Sequence, residues 1–156
     1  MILRIVLMFL LLSFVSCANS IASRQESDLQ LTWSKAIVVL PPERTQGAII
    51  TRMDSRSMKA RLEAGTISSK FPVIVYLHGC TGIGNVGLMK KLASNGFVVI
   101  APDSFARKWR PLQCDPETQT GGYNLFVYDF RLAEISYTLN QLWQLPWVNQ
   151  EQLFLL

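Results

Sequence analysis

Apolar positions along the chain fall into runs of different kinds. "FPVIVYLHG", Phe71 to Gly79, and "FVVIAPD", Phe97 to Asp103, are continuous apolar stretches of strand length, the pattern of strands covered on both faces in a parallel sheet. Between them Leu88, Met89 and Leu92 share one side of a short helical segment that Asn95 and Gly96 bring to an end. Strand, helix and strand in that order predict a βαβ unit. Upstream, "KAIVVLPPER" reads as a short β-branched strand stopped by Pro41 and Pro42, and "GAIITRM" as a second strand after the turn-like "ERTQG", together an antiparallel opening pair. Ser55 to Gly65, with Met58 and Leu62 among polar residues, fits one or two helical turns or a loop.

The long stretch after Asp103, "SFARKWRPLQCDPETQTGG", is too rich in Pro, Gly and polar residues to be an element. Loops of that length in compact domains tend to be functional or to cover a site. From Asn124 to Trp143 the spacing is helical: Phe126, Phe130, Ala133, Tyr137 and Leu142 fall near one face, and Arg131 and Glu134 are set to pair at i, i+3. "LPWVNQEQ" then turns the chain, and "LFLL" starts another buried strand. Residues 23–34 are polar and weakly patterned, which predicts an extended N-terminal arm ahead of a single domain over 35–156.

With 156 residues, 49% hydrophobic and 17% charged, the chain can bury one domain core but hardly two. The start changes the compartment. "MILRIVLMFLLLSFVSCANSIAS" places Arg4 before an apolar run from Ile5 to Leu12 and then small residues, the layout of a secretory signal over about residues 1–22. The run is short for a membrane span. Two processing routes compete: ordinary cleavage near Ser16-Cys17-Ala18 or Ser20-Ile21-Ala22, and lipidation at Cys17, which would leave a membrane-anchored lipoprotein. Export to a periplasmic or extracellular space lets thiols pair, so Cys80 and Cys114 are disulfide candidates. Closing that loop would stabilise by roughly 3–4 kcal/mol where geometry permits. The alternative is two unpaired thiols.

Fifteen basic against eleven acidic side chains give a net charge of +4, or +3 once Arg4 leaves with the signal. Arg52, Arg56, Lys59 and Arg61 form the dense basic stretch, without interleaved aromatics. A solvated face accounts for it, and no nucleic-acid partner is expected. One histidine and separated cysteines do not make a metal site.

The chemistry turns on "HGCTGIGNVG", His78 to Gly87. It contains G-x-G-x-x-G at Gly82, Gly84 and Gly87, with Asp103 further on, as in a dinucleotide-binding loop. Against that reading, two strands precede this one, Pro102 sits just before the acid meant for a ribose, and an exported protein has little access to NAD. The same stretch also opens with His-Gly at a strand end, and the glycines by themselves need do no more than shape a tight turn.

"PVIVYLHGCTG", "GFVVIAPDSF", the loop ending "CDP", "YDFRLAEISYTL" and "LPWVNQEQLFLL" together resemble the dienelactone-hydrolase-like branch of the α/β-hydrolases, from about Phe71 to Leu156. The resemblance implies an α/β fold with antiparallel opening strands followed by parallel βαβ units, no metal or organic cofactor, and hydrolysis of a small-molecule ester or related acyl bond. It also implies that the backbone N–H after His-Gly forms half of an oxyanion hole, here Cys80 with Thr81 as the neighbouring alternative. His78, Gly79 and Gly82 then support the loop. His78 is not the base, which in this family lies far downstream, and Asp103 is a loop anchor.

Such an enzyme needs a G-x-S-x-G or G-x-C-x-G elbow, an acid and a histidine in that order, with the elbow directly after the strand that begins "LFLL". Nucleophile, acid and base are all missing from the 156 residues. Two expectations follow from different classes: the N-terminal part of a broken exported hydrolase, inactive alone, or a short noncatalytic α/β protein that binds a partner.

Overall fold

The computed structural model describes residues 28–42, 47–63, 70–79, 82–108, 117–118 and 126–156. The signal-like segment and Cys17, Cys80, Thr81 and Cys114 lie outside the described residues, as does most of the long loop after Lys108. In chain order the elements are helix α1 (28–34), strands β1 (Ile37–Leu40) and β2 (Ile49–Arg52), helix α2 (Arg56–Glu63), strand β3 (Phe71–Val75), helix α3 (Val86–Ser94), strand β4 (Val98–Ala101), helix α4 (Phe126–Trp143) and strand β5 (Val148–Leu155).

Among the described residues the strands form one sheet in the order β2-β1-β4-β3-β5. β1 is antiparallel to both β2 and β4, while β3 runs parallel to both β4 and β5. An antiparallel opening pair and a parallel βαβ unit are thus joined in one mixed α/β sheet, consistent with part of an α/β-hydrolase fold. The pleat divides the core. Val38, Leu40, Val73, Val75, Val98 and Ile100 face one layer with Met58 of α2 and Leu142 of α4, whereas Val39, Ile74, Val99 and Ala101 face the other with Met89 and Ala93 of α3. All four residues of β4 are buried, because neighbours on both edges and helices on both faces leave them no route to water.

α3 ends where the sequence signals it. Asn85, in the left-handed region, accepts from the Leu88 N–H and caps the start, and Gly96 at φ 89° takes the turn beyond Asn95.

Three local expectations need correction. Residues 28–34, read as part of an extended arm, are helical: Asp28, Leu29 and Thr32 are buried, and Trp33 packs on the first layer. The apolar residues there, Leu29, Leu31 and Trp33, alternate at a spacing of two, so no helical period registers. Residues 148–152, read as a turn, already belong to β5. Their polar side chains are admissible because residues 149–152 fall in the register shift between the Phe71–Val148 and Val73–Leu153 pairs, opposite Pro72, which has no N–H to give the ladder. In α4 the buried residues are Glu134, Thr138 and Leu142, while Phe126 is 72% exposed. Leu142 is buried as its place on the apolar face predicts and Phe130, Ala133 and Tyr137 are half-buried, but the inward face is completed by Glu134 and Thr138, which a search for an apolar stripe passes over.

Candidate functional site

The site grows from the C-terminal end of β3. Past Val75 the ladder continues on both sides: the Tyr76 N–H donates to the Ile100 carbonyl and the Leu77 N–H to the Leu156 carbonyl. His78 and Gly79 therefore emerge from a clamped strand end. The chain then turns tightly, with the Gly82 N–H donating to the Gly79 carbonyl at 3.2 Å. Gly82 adopts φ 80°, and a Cβ there would stand 3.1 Å from the Phe105 ring. Both the dihedral and the close approach require glycine. Gly84 and Gly87 meet neither demand, since a Cβ at either would touch nothing.

His78 is buried and makes two ring hydrogen bonds. Its Nε2 accepts the Ser104 N–H at 3.0 Å, so the ring proton resides on Nδ1, which donates to the Gly79 carbonyl at 2.9 Å. The Phe105 ring meets the imidazole edge-on at 5.0 Å between centroids. Burial, more than anything else, lowers the pKa of His78 below its ordinary 6.5; the Gly79 hydrogen bond opposes this, the Arg131 charge adds to it, and Asp103 and Glu134 oppose it.

Ser104 sits just beyond β4, where Asp103 caps a single 3-10 turn by accepting the Phe105 N–H at 3.0 Å. α1 holds this segment from behind: the Asp103 N–H donates to the Thr32 carbonyl at 3.1 Å, and the Lys108 N–H to Asp28 Oδ1 at 3.3 Å. The Ser104 hydroxyl donates to Glu134 Oε2 at 2.7 Å and accepts from Arg131 Nη1. Arg131 also reaches Glu134 Oε2 at 3.1 Å and the His78 carbonyl at 2.7 Å. Arg107 pairs with Glu134 Oε1 at 3.4 Å and stacks its guanidinium 3.4 Å from the centre of the Phe130 ring. Burial lowers the pKa of Arg107, against the pull of Glu134 and Asp28.

Histidine, serine and a carboxylate in one cluster invite comparison with a charge-relay triad, and the connections rule it out. In a triad the imidazole accepts the serine hydroxyl proton and the carboxylate faces the other ring nitrogen. Here the imidazole accepts a backbone N–H, the hydroxyl is turned to Glu134, and the other ring nitrogen faces a carbonyl. The cluster can hold a turn. It cannot pass a proton from Ser104 to His78.

A sequence model of the dienelactone hydrolase family matches residues 58–136, half of the chain. The chain belongs to the dienelactone hydrolase family. That family lies within the α/β-hydrolase superfamily and carries a hydrolase-type function. The matched segment includes His78, Ser104, Arg107, Arg131 and Glu134, every member of the buried cluster. No curated protein and no solved structure matches the chain.

The structure brings His78, Gly79 and Gly82 together, with Asp103 anchoring the adjoining loop. Cys80, Thr81, Cys114 and Cys17 lie outside the described residues. Sequence reading missed Ser104 and Arg107 as cluster members; the Arg131–Glu134 pair forms at i, i+3 as read, with Glu134 buried in the cluster. The signal was present in "APDS" directly after a buried strand, and in charges three residues apart on a helix that also had to cover the sheet. Among the described residues no group of three or more His, Cys, Asp or Glu is placed to hold a metal, and no helix is long and apolar enough to cross a membrane.

Proposed function

We propose that this chain is the N-terminal part of an exported hydrolase that cleaves a small-molecule ester or related acyl bond, and that residues 1–156 alone do not turn over substrate. The observation that carries the reading is the parallel pairing of β3 with β5, Val75 against Leu155. It sets the C-terminal ends of the two strands side by side, with the Gly79–Gly82 turn at the same end. In this superfamily a nucleophile elbow follows the strand in the place of β5, and an N–H just after His-Gly faces the reacting carbonyl. Cys80 supplies that N–H here, or Thr81 beside it. An oxyanion donor stabilises charge only after a nucleophile has attacked, and the described cluster offers none that is activated.

Export by residues 1–22, with ordinary cleavage ahead of lipidation at Cys17, and a Cys80–Cys114 disulfide that staples the long loop to the turn belong to the same proposal. Turnover of p-nitrophenyl acetate by purified, soluble 1–156 chain tests it, against a control in which Gly79 and Cys80 are deleted. No saturable turnover is expected. Saturable turnover that the deletion abolishes would contradict the inactive reading. A G-x-S-x-G or G-x-C-x-G code in the nucleotides beyond the last codon supports the hydrolase parent, and its absence in every frame favours the noncatalytic partner-binding protein.

A further inference from the structure

The cluster is ordered as a relay of positions. Glu134 and Arg131 on α4 hold the Ser104 hydroxyl between them; Ser104, so held, presents its N–H to His78 Nε2; the imidazole, its tautomer thereby set, donates from Nδ1 to the Gly79 carbonyl. Arg131 closes the circuit by binding the His78 carbonyl at 2.7 Å. Two successive peptide carbonyls at the strand end are thus fixed by side chains. A planar trans peptide points its N–H opposite to its C=O, so fixing the His78 carbonyl fixes the direction of the Gly79 N–H, and the Gly79 carbonyl that His78 holds is also the acceptor of the Gly82 N–H.

We propose that Arg131 and Glu134, acting through Ser104 and His78, are positioning residues that hold the His78 and Gly79 carbonyls, and through them the end of β3 from which the turn to Gly82 starts. The proposal deepens the reading of that turn as an oxyanion loop and rests on it for its purpose, though not for its test. Side chains that merely filled the space under α4 would not need one guanidinium to bridge a hydroxyl, a carboxylate and a backbone carbonyl. A lysine would do so less well, because its single nitrogen cannot stand at both places that Nη1 and Nη2 occupy.

His78 is the sole histidine, so one imidazole reports on the relay without assignment ambiguity. The experiment is nitrogen-15 NMR of the histidine ring together with amide hydrogen exchange, on the wild-type chain and on Arg131→Met, Arg131→Lys and Ser104→Ala. Wild type is expected to show the neutral Nδ1–H tautomer. Arg131→Met should give a mixture of tautomers and exchange about tenfold faster at the amides of residues 82 and 104, with Val99 and Ile100 unchanged; Arg131→Lys should lie between. Ser104→Ala keeps every charge paired and so covers the case in which Arg131→Met does not fold. It should loosen the same two amides. A wild-type tautomer and unchanged exchange at residues 82 and 104 in the folded variants would overturn the proposal, as would acceleration spread equally over β3 and β4, which marks general destabilisation. None of these readouts needs turnover, so they fail or succeed separately from the hydrolase reading, which the missing-elbow test decides.

Discussion

The two helices that flank the parallel strands bury opposite kinds of side chain. α3 lays Met89 and Ala93 on Ile74, Val99 and Ala101, an apolar contact throughout. α4 joins the other layer through Leu142, but along its middle it buries Glu134 and Thr138, with Arg131 partly covered and Arg107 beneath it. Apolar packing is non-directional and tolerates approximate shape, whereas a buried charge must find its partners at fixed distances or be left at high cost. One face therefore stabilises the sheet. The other fixes the geometry of its C-terminal end.

The sharpest way to break the comparison is Glu134→Ala. It strips Arg107, whose side chain is 4% exposed, and Arg131 of their shared carboxylate, and should cost about 4 kcal/mol in urea unfolding. Met89→Ala on the other face deletes a fully buried apolar side chain and should cost about 3 kcal/mol by the same measurement. The two should differ in kind as well: Met89→Ala should leave the His78 ring signals of the folded chain unchanged, while Glu134→Ala should move them. A smaller loss, about 1–2 kcal/mol, is expected for Gly82→Ala, which forces a side chain into positive φ against the Phe105 ring.

The pH dependence comes last in size near neutrality and belongs to the polar face. His78 titrates lower in the folded chain than its ordinary 6.5, so the unfolded chain binds more protons as the solution turns acidic. The stability due to neutral His78 is complete above pH 6.5 and is lost as pH falls from there through the lowered value. A protonated ring has no lone pair for the Ser104 N–H. Unfolding midpoints in urea across this range should fall on acidification, and the fall should vanish in His78→Gln, whose side chain does not titrate.

The contrast also explains how far the sequence could be read. Continuous apolar runs announced β3 and β4, and Leu88, Met89 and Leu92 announced α3, because water exclusion leaves an apolar record at the period of the element. The antiparallel opening pair was equally plain from β-branched residues between Pro and Gly. α4 was legible as a helix with Leu142 inward, but its buried face was only partly read, since Glu134 and Thr138 occupy positions where burial normally selects Leu or Val. β5 was half missed because Asn149 to Gln152 lie in a register shift opposite Pro72 and are not held to an apolar alternation. At the site, His78, Gly79 and Gly82 were legible as a strand-end turn, whereas Ser104 and Arg107 act through partners 30 and 27 residues away, a relation that no local pattern encodes.

The central claim is that the His78, Ser104 and Glu134 cluster holds a turn and does not attack a substrate. Treating the folded wild-type chain with a fluorophosphonate and measuring intact and peptide masses tests it most directly. The geometry predicts no adduct at Ser104, whose hydroxyl is buried, donated to Glu134 and out of contact with the imidazole lone pair. Stoichiometric labelling of Ser104 in the folded chain, lost on heat denaturation, would contradict the account.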